Sequence, residues 1–307
     1  MKNALHYYYG LTIKNIHQTN KQYSFKIDKN RYVLLPVNRS IEELKYIYQI
    51  TNTLKDRGLY CHEIIINNSG QIITFINNVS YILLKVFVKE DDFIILNDLI
   101  LFQNKTKNIT KQPLLQRNDW YELWTTKIDY FEYQVSQLSK KYPRVRESFG
   151  YFVGLAETSI SLFNMLYKKE SHLLSVCHKR IHFNDTLFDL YNPLNFIIDI
   201  PSRNASEYFK SAFLEQKDII NEIIYYLTYG NLTEYECQMF FIRLLFPTFY
   251  FDIYEDVILG EEKEKELLKV VTHISDYEQM ISSVYQYLRT TIYLPEIEWL
   301  NKLVQNY

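Results

Sequence analysis

Residues 177–209 read CHKRIHFNDTLFDLYNPLNFIIDIPSRNASEYF, and the fold is decided in this stretch. It opens on His178, Lys179 and Arg180, reaches Asp185 five residues after the arginine, and closes with the apolar run Phe196, Ile197, Ile198 that ends on Asp199. A short apolar run between polar flanks is the pattern of a buried strand. It therefore carries one carboxylate to a strand end, beside a loop that starts with a histidine. Arg180 cannot accept a proton near neutral pH, because a guanidinium stays protonated. Two carboxylates are a minimal magnesium set, so Asp185 and Asp199 could ligate a cation together. The competing arrangement pairs Arg180 with Asp185 or Asp199, a charge-assisted contact that replaces metal and base alike.

Upstream, YSFKIDKNRYVLLPV (23–37) predicts two strands around an Asp-Lys-Asn turn. Ser40 predicts a helix N-cap with Glu43 at the third position, and apolar residues recur at helical spacing from Ile41 until Gly58 ends the helix. A second hairpin is expected from 62–67 and 71–76 around Asn68-Ser69-Gly70, with a further strand over 81–88 before the acidic run 89–92. Beyond it the pattern changes to amphipathic helices over 93–105, from Trp120 to near Pro143, and over 145–168, followed by helices broken at Phe246-Pro247. This reading places a small α+β unit at 1–89 and a helical unit at 90–307 that contains the degenerate loop of about 177–209.

Composition narrows the function classes. The chain has 47% hydrophobic residues and only 7 Gly and 7 Pro, which leaves little room for disordered linkers. With 34 Lys plus Arg against 36 Asp plus Glu, the net charge of -2 lacks the footprint of a nucleic-acid binder. No window approaches the roughly 20 apolar residues of a membrane span, and the N-terminus has no signal-peptide pattern, so a cytoplasmic protein is expected. Cys61, Cys177 and Cys237 lack paired spacing and read as buried hydrophobes. The 28 tyrosines suit either ordinary core packing or an interaction surface.

The small unit, acidic junction and helical unit together resemble the aminoglycoside-phosphotransferase branch of the two-lobed kinase fold. Within it the chain is most similar to bacterial spore-coat proteins of the CotS and YutH type. The segments carrying the likeness are 124–143 (WTTKIDYFEYQVSQLSKKYP), 148–160 (SFGYFVGLAETSI) and 191–208 (YNPLNFIIDIPSRNASEY). The resemblance implies an α+β kinase-like fold in which His178 braces the catalytic loop. It also implies that Arg180 replaces the catalytic aspartate, Asp185 the metal-binding asparagine, and that Asp199 is the remaining metal-site acid. Leu35 or a neighbour stands where the phosphate-binding lysine belongs. No glycine occurs between Gly10 and Gly58, where the phosphate loop should be glycine-rich, and residues 17–21 are expected to join the first strands there. Glu43 then loses its usual lysine partner and becomes a solvated or capping residue. Asn204 stands where relatives of the fold carry a loop-anchoring aspartate.

What the resemblance implies is a pseudokinase of the spore coat, without a cofactor, that binds other coat proteins and passes from the mother-cell cytoplasm to the coat. The alternative is an atypical phosphotransferase or nucleotide sensor that uses ATP and Mg through Asp185 and Asp199. Zinc hydrolysis from His178 and His182, or thiol chemistry at Cys177, has no supporting motif.

Overall fold

Residues 1–89, 92–138, 140–167, 174–260 and 262–305 are described by a computed structural model. The helix α1 (Lys2–Tyr9) comes first and stops at Gly10, whose left-handed φ of 68° a side chain would resist. Strands β1 (Ile16–Thr19), β2 (Gln22–Ile27) and β3 (Asn30–Pro36) follow as an antiparallel meander. The Asp-Lys-Asn turn lies where the sequence predicts it, with Ile27 opposite Asn30 and Asp28 at a φ of 54°. The β1–β2 connection is tighter than expected. Thr19 pairs with Gln22, so His17, Gln18 and Thr19 lie in strand and only Asn20 and Lys21 turn the chain.

Helix α2 (Ile41–Asp56) starts with the predicted capping box: Ser40 Oγ accepts from the Glu43 amide, and Glu43 Oε2 accepts from the Ser40 amide. Strands β4 (Glu63–Ile65), β5 (Thr74–Ile76) and β6 (Val79–Val86) complete the sheet in the order β1-β2-β3-β6-β4. The expected hairpin across Asn68-Ser69-Gly70 is corrected here. β4 and β5 do not pair with each other but share one edge of β6 end to end, opposite β3. The true hairpin is β5–β6, turned by Asn77 and Asn78 at φ 50° and 62°, a left-handed pair that asparagine tolerates. The Asn67 side chain closes the earlier loop by accepting from the Ser69 and Gln71 amides.

Residues 90 and 91 of the acidic junction lie outside the described residues. After it come α3 (Leu96–Thr106), α4 (Trp120–Leu138) and α5 (Pro143–Leu166). The expected end of α5 at Lys168 falls outside the described residues. Strand β7 (Ser175–His178), the short helix α6 (Leu187–Leu190) and strand β8 (Phe196–Asp199) form the predicted loop segment. Helices α7 (Arg203–Leu214), α8 (Ile220–Tyr229), α9 (Glu234–Leu245), α10 (Thr248–Leu259), α11 (Leu268–Val271), α12 (Ile274–Arg289) and α13 (Glu298–Gln305) make up the rest.

Two apolar clusters hold these elements. The smaller seals α1 onto the outer face of the sheet through Leu5, Phe25, Leu34 and Leu83. The larger begins at Leu44, Ile47 and Leu84 on the inner face and runs on through Trp120, Phe152, Phe209 and Tyr285. The inner face of the sheet and the helical lobe therefore share one core. All three cysteines are buried, as expected. The tyrosines divide: Tyr226, Tyr250, Tyr254 and Tyr285 are buried, whereas Tyr7, Tyr133, Tyr229 and Tyr293 project into solvent.

Candidate functional site

β7 and β8 run antiparallel, with Ser175 opposite Asp199 and His178 opposite Phe196. Residues 115–117 add to the free side of β8: Leu115 O accepts from the Ile198 amide, and the Arg117 amide donates to Ile198 O, both at 2.9 Å. This extra segment leads into α4 and sets Trp120 against the end of β8.

His178 is buried, and its Nε2 lies 2.8 Å from Leu190 O while its Nδ1 lies 3.1 Å from Asn204 Nδ2. A carbonyl only accepts, so Nε2 carries the proton and Nδ1 accepts from the Asn204 amide. The Asn204 Oδ1 accepts from the His178 backbone amide at 2.9 Å. Asn204 thus anchors the loop here. Burial, against the hydrogen bond to Leu190, pushes His178 down to about 4. His62, tilted against the Phe188 ring and 3.1 Å from Phe188 O, is also pushed down by burial to about 4. The unfolded chain protonates both near pH 6.5 and the folded chain only near 4, so stability falls as the pH drops through that window. Each histidine contributes up to ~3 kcal/mol of this loss. Urea midpoints at pH 7.5 and 4.5 should show it, with the slope roughly halved in His62→Gln.

Asp199 is fully buried and both its oxygens are engaged. Oδ2 accepts from Arg203 Nη1 at 2.6 Å, and Oδ1 accepts from Trp120 Nε1 at 3.0 Å and from the Ile200 amide at 2.7 Å. A group facing three donors acts as acceptor only, which is the ionised carboxylate. Desolvation disfavours the Arg203 charge, but Asp199 beside it, with Glu207, holds the guanidinium above its ordinary pKa. Arg203 also donates to His178 O and Lys179 O, both at 3.1 Å, so one side chain ties helix α7 to the loop and to the strand end.

The expected pairing of Arg180 with Asp185 or Asp199 is corrected. Arg180 Nη2 reaches Asp252 on α10 at 2.7 Å, at the surface. Asp185 turns inward on its own loop: its Oδ2 accepts from the His182 amide at 2.7 Å. The cation beside Asp199 is Arg203, which sequence reasoning missed. Its one signal was an arginine four residues after the strand-end acid, at the start of a helix.

Leu35 packs against the larger core from β3, where Val33 is its inward neighbour. It presents no cation to a phosphate. Glu43 caps α2 and lies 3.6 Å from Arg39, as expected of a glutamate without its lysine. Arg39, also missed, is 3% exposed at its side chain and reaches across to the loop, donating to Leu194 O at 2.9 Å and Phe196 O at 2.7 Å. Arg57 makes a parallel link to Lys107 O and Asn108 O, and the His62 amide donates to Tyr191 O. Cys177 is buried, its Sγ points at Ile200 O, and burial pushes the thiol well above its usual range, which leaves no reactive thiolate. Among the described residues, no group of three or more His, Cys, Asp or Glu side chains could hold a metal ion.

These positions test the fit of a magnesium nucleotide. Asp199 is saturated by protein donors, Leu35 on β3 offers no cation, and the β1–β2 connection is a two-residue turn without glycine. The residues present do not fit the group.

A family model described as "Spore coat putative kinase YutH" matches residues 2–284. The chain belongs to this family. The endospore coat-associated protein YutH of Bacillus subtilis (strain 168) is 23% identical over 336 residues, with 98% of each chain covered. Among solved structures, an aminoglycoside phosphotransferase from Alicyclobacillus acidocaldarius superposes with a TM-score of 0.71 at 11% identity, over 92% of this chain and 94% of that one. A spectinomycin phosphotransferase bound to ADP and spectinomycin gives 0.59 at 13%, over 92% and 96%. At such identities these likenesses establish the fold: an antiparallel-sheet N-lobe and a mostly helical remainder, as the sequence predicts for a YutH-type protein. No helix among the described residues is long and apolar enough to cross a membrane.

Proposed function

We propose that this chain is a non-catalytic, kinase-fold component of the bacterial spore coat that works by binding other coat proteins. The observation that carries the catalytic half is Asp199, whose two oxygens are occupied by Trp120, Ile200 and Arg203. Arg180 in place of the base and Leu35 in place of the lysine act in the same direction, since each removes a separate part of phosphoryl transfer. Support for the coat half comes from the family and from its endospore coat-associated relative. The lobe division at residues 89 and 90, and a route from the mother-cell cytoplasm to the coat, belong to this proposal.

The test is a thermal-unfolding scan with ATP, GTP and ADP, each with and without magnesium. A ligand raises the melting temperature only of a fold that binds it. The expected result is no magnesium-dependent shift with any nucleotide. A rise of several degrees that needs both nucleotide and metal would overturn the reading.

A further inference from the structure

Beside Asp199, on the outer side of Arg203, lies a cavity of about 310 Å³ walled by α4, the 179–180 loop and the α9–α10 corner. Six cations line it, Arg117, Lys127, Lys179, Arg180, Arg203 and Arg243, and among the described residues no carboxylate does. Four have acidic partners, of which Asp199 and Glu207 are buried behind the wall and Asp252 and Glu255 lie at the surface. Lys127 meets Glu255 at 2.6 Å, Arg180 meets Asp252 at 2.7 Å, Arg203 meets Asp199 at 2.6 Å and Arg243 meets Glu207 at 2.7 Å. The other two have no such partner among the described residues. Among the described residues the Arg117 side chain donates to the carbonyls of Leu114 and Gln116, and the Lys179 side chain is exposed at the rim. Burial, and then Arg39 nearby, push the Lys179 amine down, against the opposing pull of the Glu43 carboxylate.

Most of the rest of the wall is aromatic, with Leu123, Ile197 and Thr248 between the rings. Trp120 and Trp124 stack at 5.1 Å, Trp124 stacks on Phe246 at 4.1 Å, and the Arg243 guanidinium sits 4.8 Å from the Trp120 ring centre. An excess of cations beside aromatic faces suits an anion carried on an organic stem. Guanidinium forks match the oxygens of phosphate, and two unpartnered cations match a dianion in charge.

We propose that this cavity binds a phosphate group, with Lys179 and Arg117 as the residues that hold its charge. The group is either free phosphate or a phosphorylated side chain of a partner protein. The site requires neither magnesium nor nucleotide, so it stands or falls separately from the non-catalytic reading.

The experiment titrates the full chain, in EDTA at fixed ionic strength, with inorganic phosphate, a phosphoserine peptide and the same peptide unphosphorylated. Binding is read by calorimetry and by the melting temperature. Phosphate should raise the melting temperature above that in chloride. The double variant Lys179→Ala/Arg117→Ala should bind about tenfold or more weakly while melting normally in chloride, because charge-assisted contacts are lost at the rim. Tighter binding of the phosphopeptide than of phosphate makes the source a protein; equal binding makes it the free ion. The proposal is overturned if phosphate acts no differently from chloride, or if the double variant binds as well as the unaltered chain. A single Lys179→Glu variant guards against a rim that merely readjusts, since reversing the charge should abolish binding.

Discussion

Replacing Asp199 with Asn lowers the stability of the folded chain by about 3–5 kcal/mol, the usual cost of leaving one member of a buried ion pair without its partner. Arg203 is buried, and its remaining hydrogen bonds go to the carbonyls of His178 and Lys179, while Glu207, the other acid acting on it, is already paired with Lys210 and Arg243. A carboxylate kept for a metal ion behaves differently: neutralising it relieves repulsion, and the metal-free protein becomes no less stable. Urea unfolding of the variant distinguishes the two, and an unchanged or raised midpoint would mean that the Asp199–Arg203 pair does not hold the fold together. The reciprocal Arg203→Met change should cost a similar amount. Combining Asp199→Leu with Arg203→Met should recover most of either loss, because apolar residues often replace a buried ion pair at little cost. What stays lost are the hydrogen bonds that Trp120 Nε1 and the Ile200 amide give to Asp199, each worth about 1 kcal/mol.

The second large effect is expected at Glu207. Its Oε1 accepts from Lys210 Nζ at 3.0 Å and from Arg243 Nε at 2.7 Å, and its Oε2 accepts from Thr248 at 3.0 Å. Burial alone would raise this carboxyl, but Lys210 and then Arg243 hold it well below the usual carboxylate range. A depressed pKa means the stabilisation is present above the unfolded value of 4.5 and is lost as the pH falls below it. Glu207→Gln strands two buried cations at once and should cost about 3–5 kcal/mol at pH 7. Lys210 gives this variant a second signature. Burial already pushes its amine down to about 8, and without Glu207 it falls further. The folded variant then sheds that proton below pH 8 while the unfolded chain keeps it until about 10.5, so stability rises with pH in between. Urea midpoints from pH 7 to 9 should climb more steeply in the variant than in the unaltered chain. Parallel slopes would contradict the assignment.

Much of this fold was legible from local rules. The capping box at Ser40 and Glu43, the turn at Asp28 and the helical stripe from Trp120 each involve residues within a few positions of one another, and each stands in the structure as read. The failures came where a partner is remote or a choice is tertiary. Asn68-Ser69-Gly70 is as good a turn as Asn77-Asn78, and only the free edge of β6 decides which strands pair. Arg180 finds Asp252 some 72 residues along the chain, beyond any spacing argument. The site was half visible. His178, Asp185, Asp199 and Leu35 were singled out through the resemblance to the kinase fold, but the saturation of Asp199 depends on a tryptophan 79 residues earlier that residues 115–117 deliver. Composition concealed the cationic cavity as well, since a chain with a net charge of -2 gives no hint that six cations meet on one wall.

Arg39 sets a limit on motion. A phosphotransferase cycle needs its two lobes to part and close again, to admit nucleotide and release product. Here a buried guanidinium from the strand lobe grips the carbonyls of Leu194 and Phe196 in the other, Arg57 and His62 add further stitches, and one apolar core runs beneath them. Opening such a joint would strip a charge of its acceptors and wet the core. The sheet and the helices are accordingly joined as one stiff body, and a hinge between them would open only at the expense of that shared core.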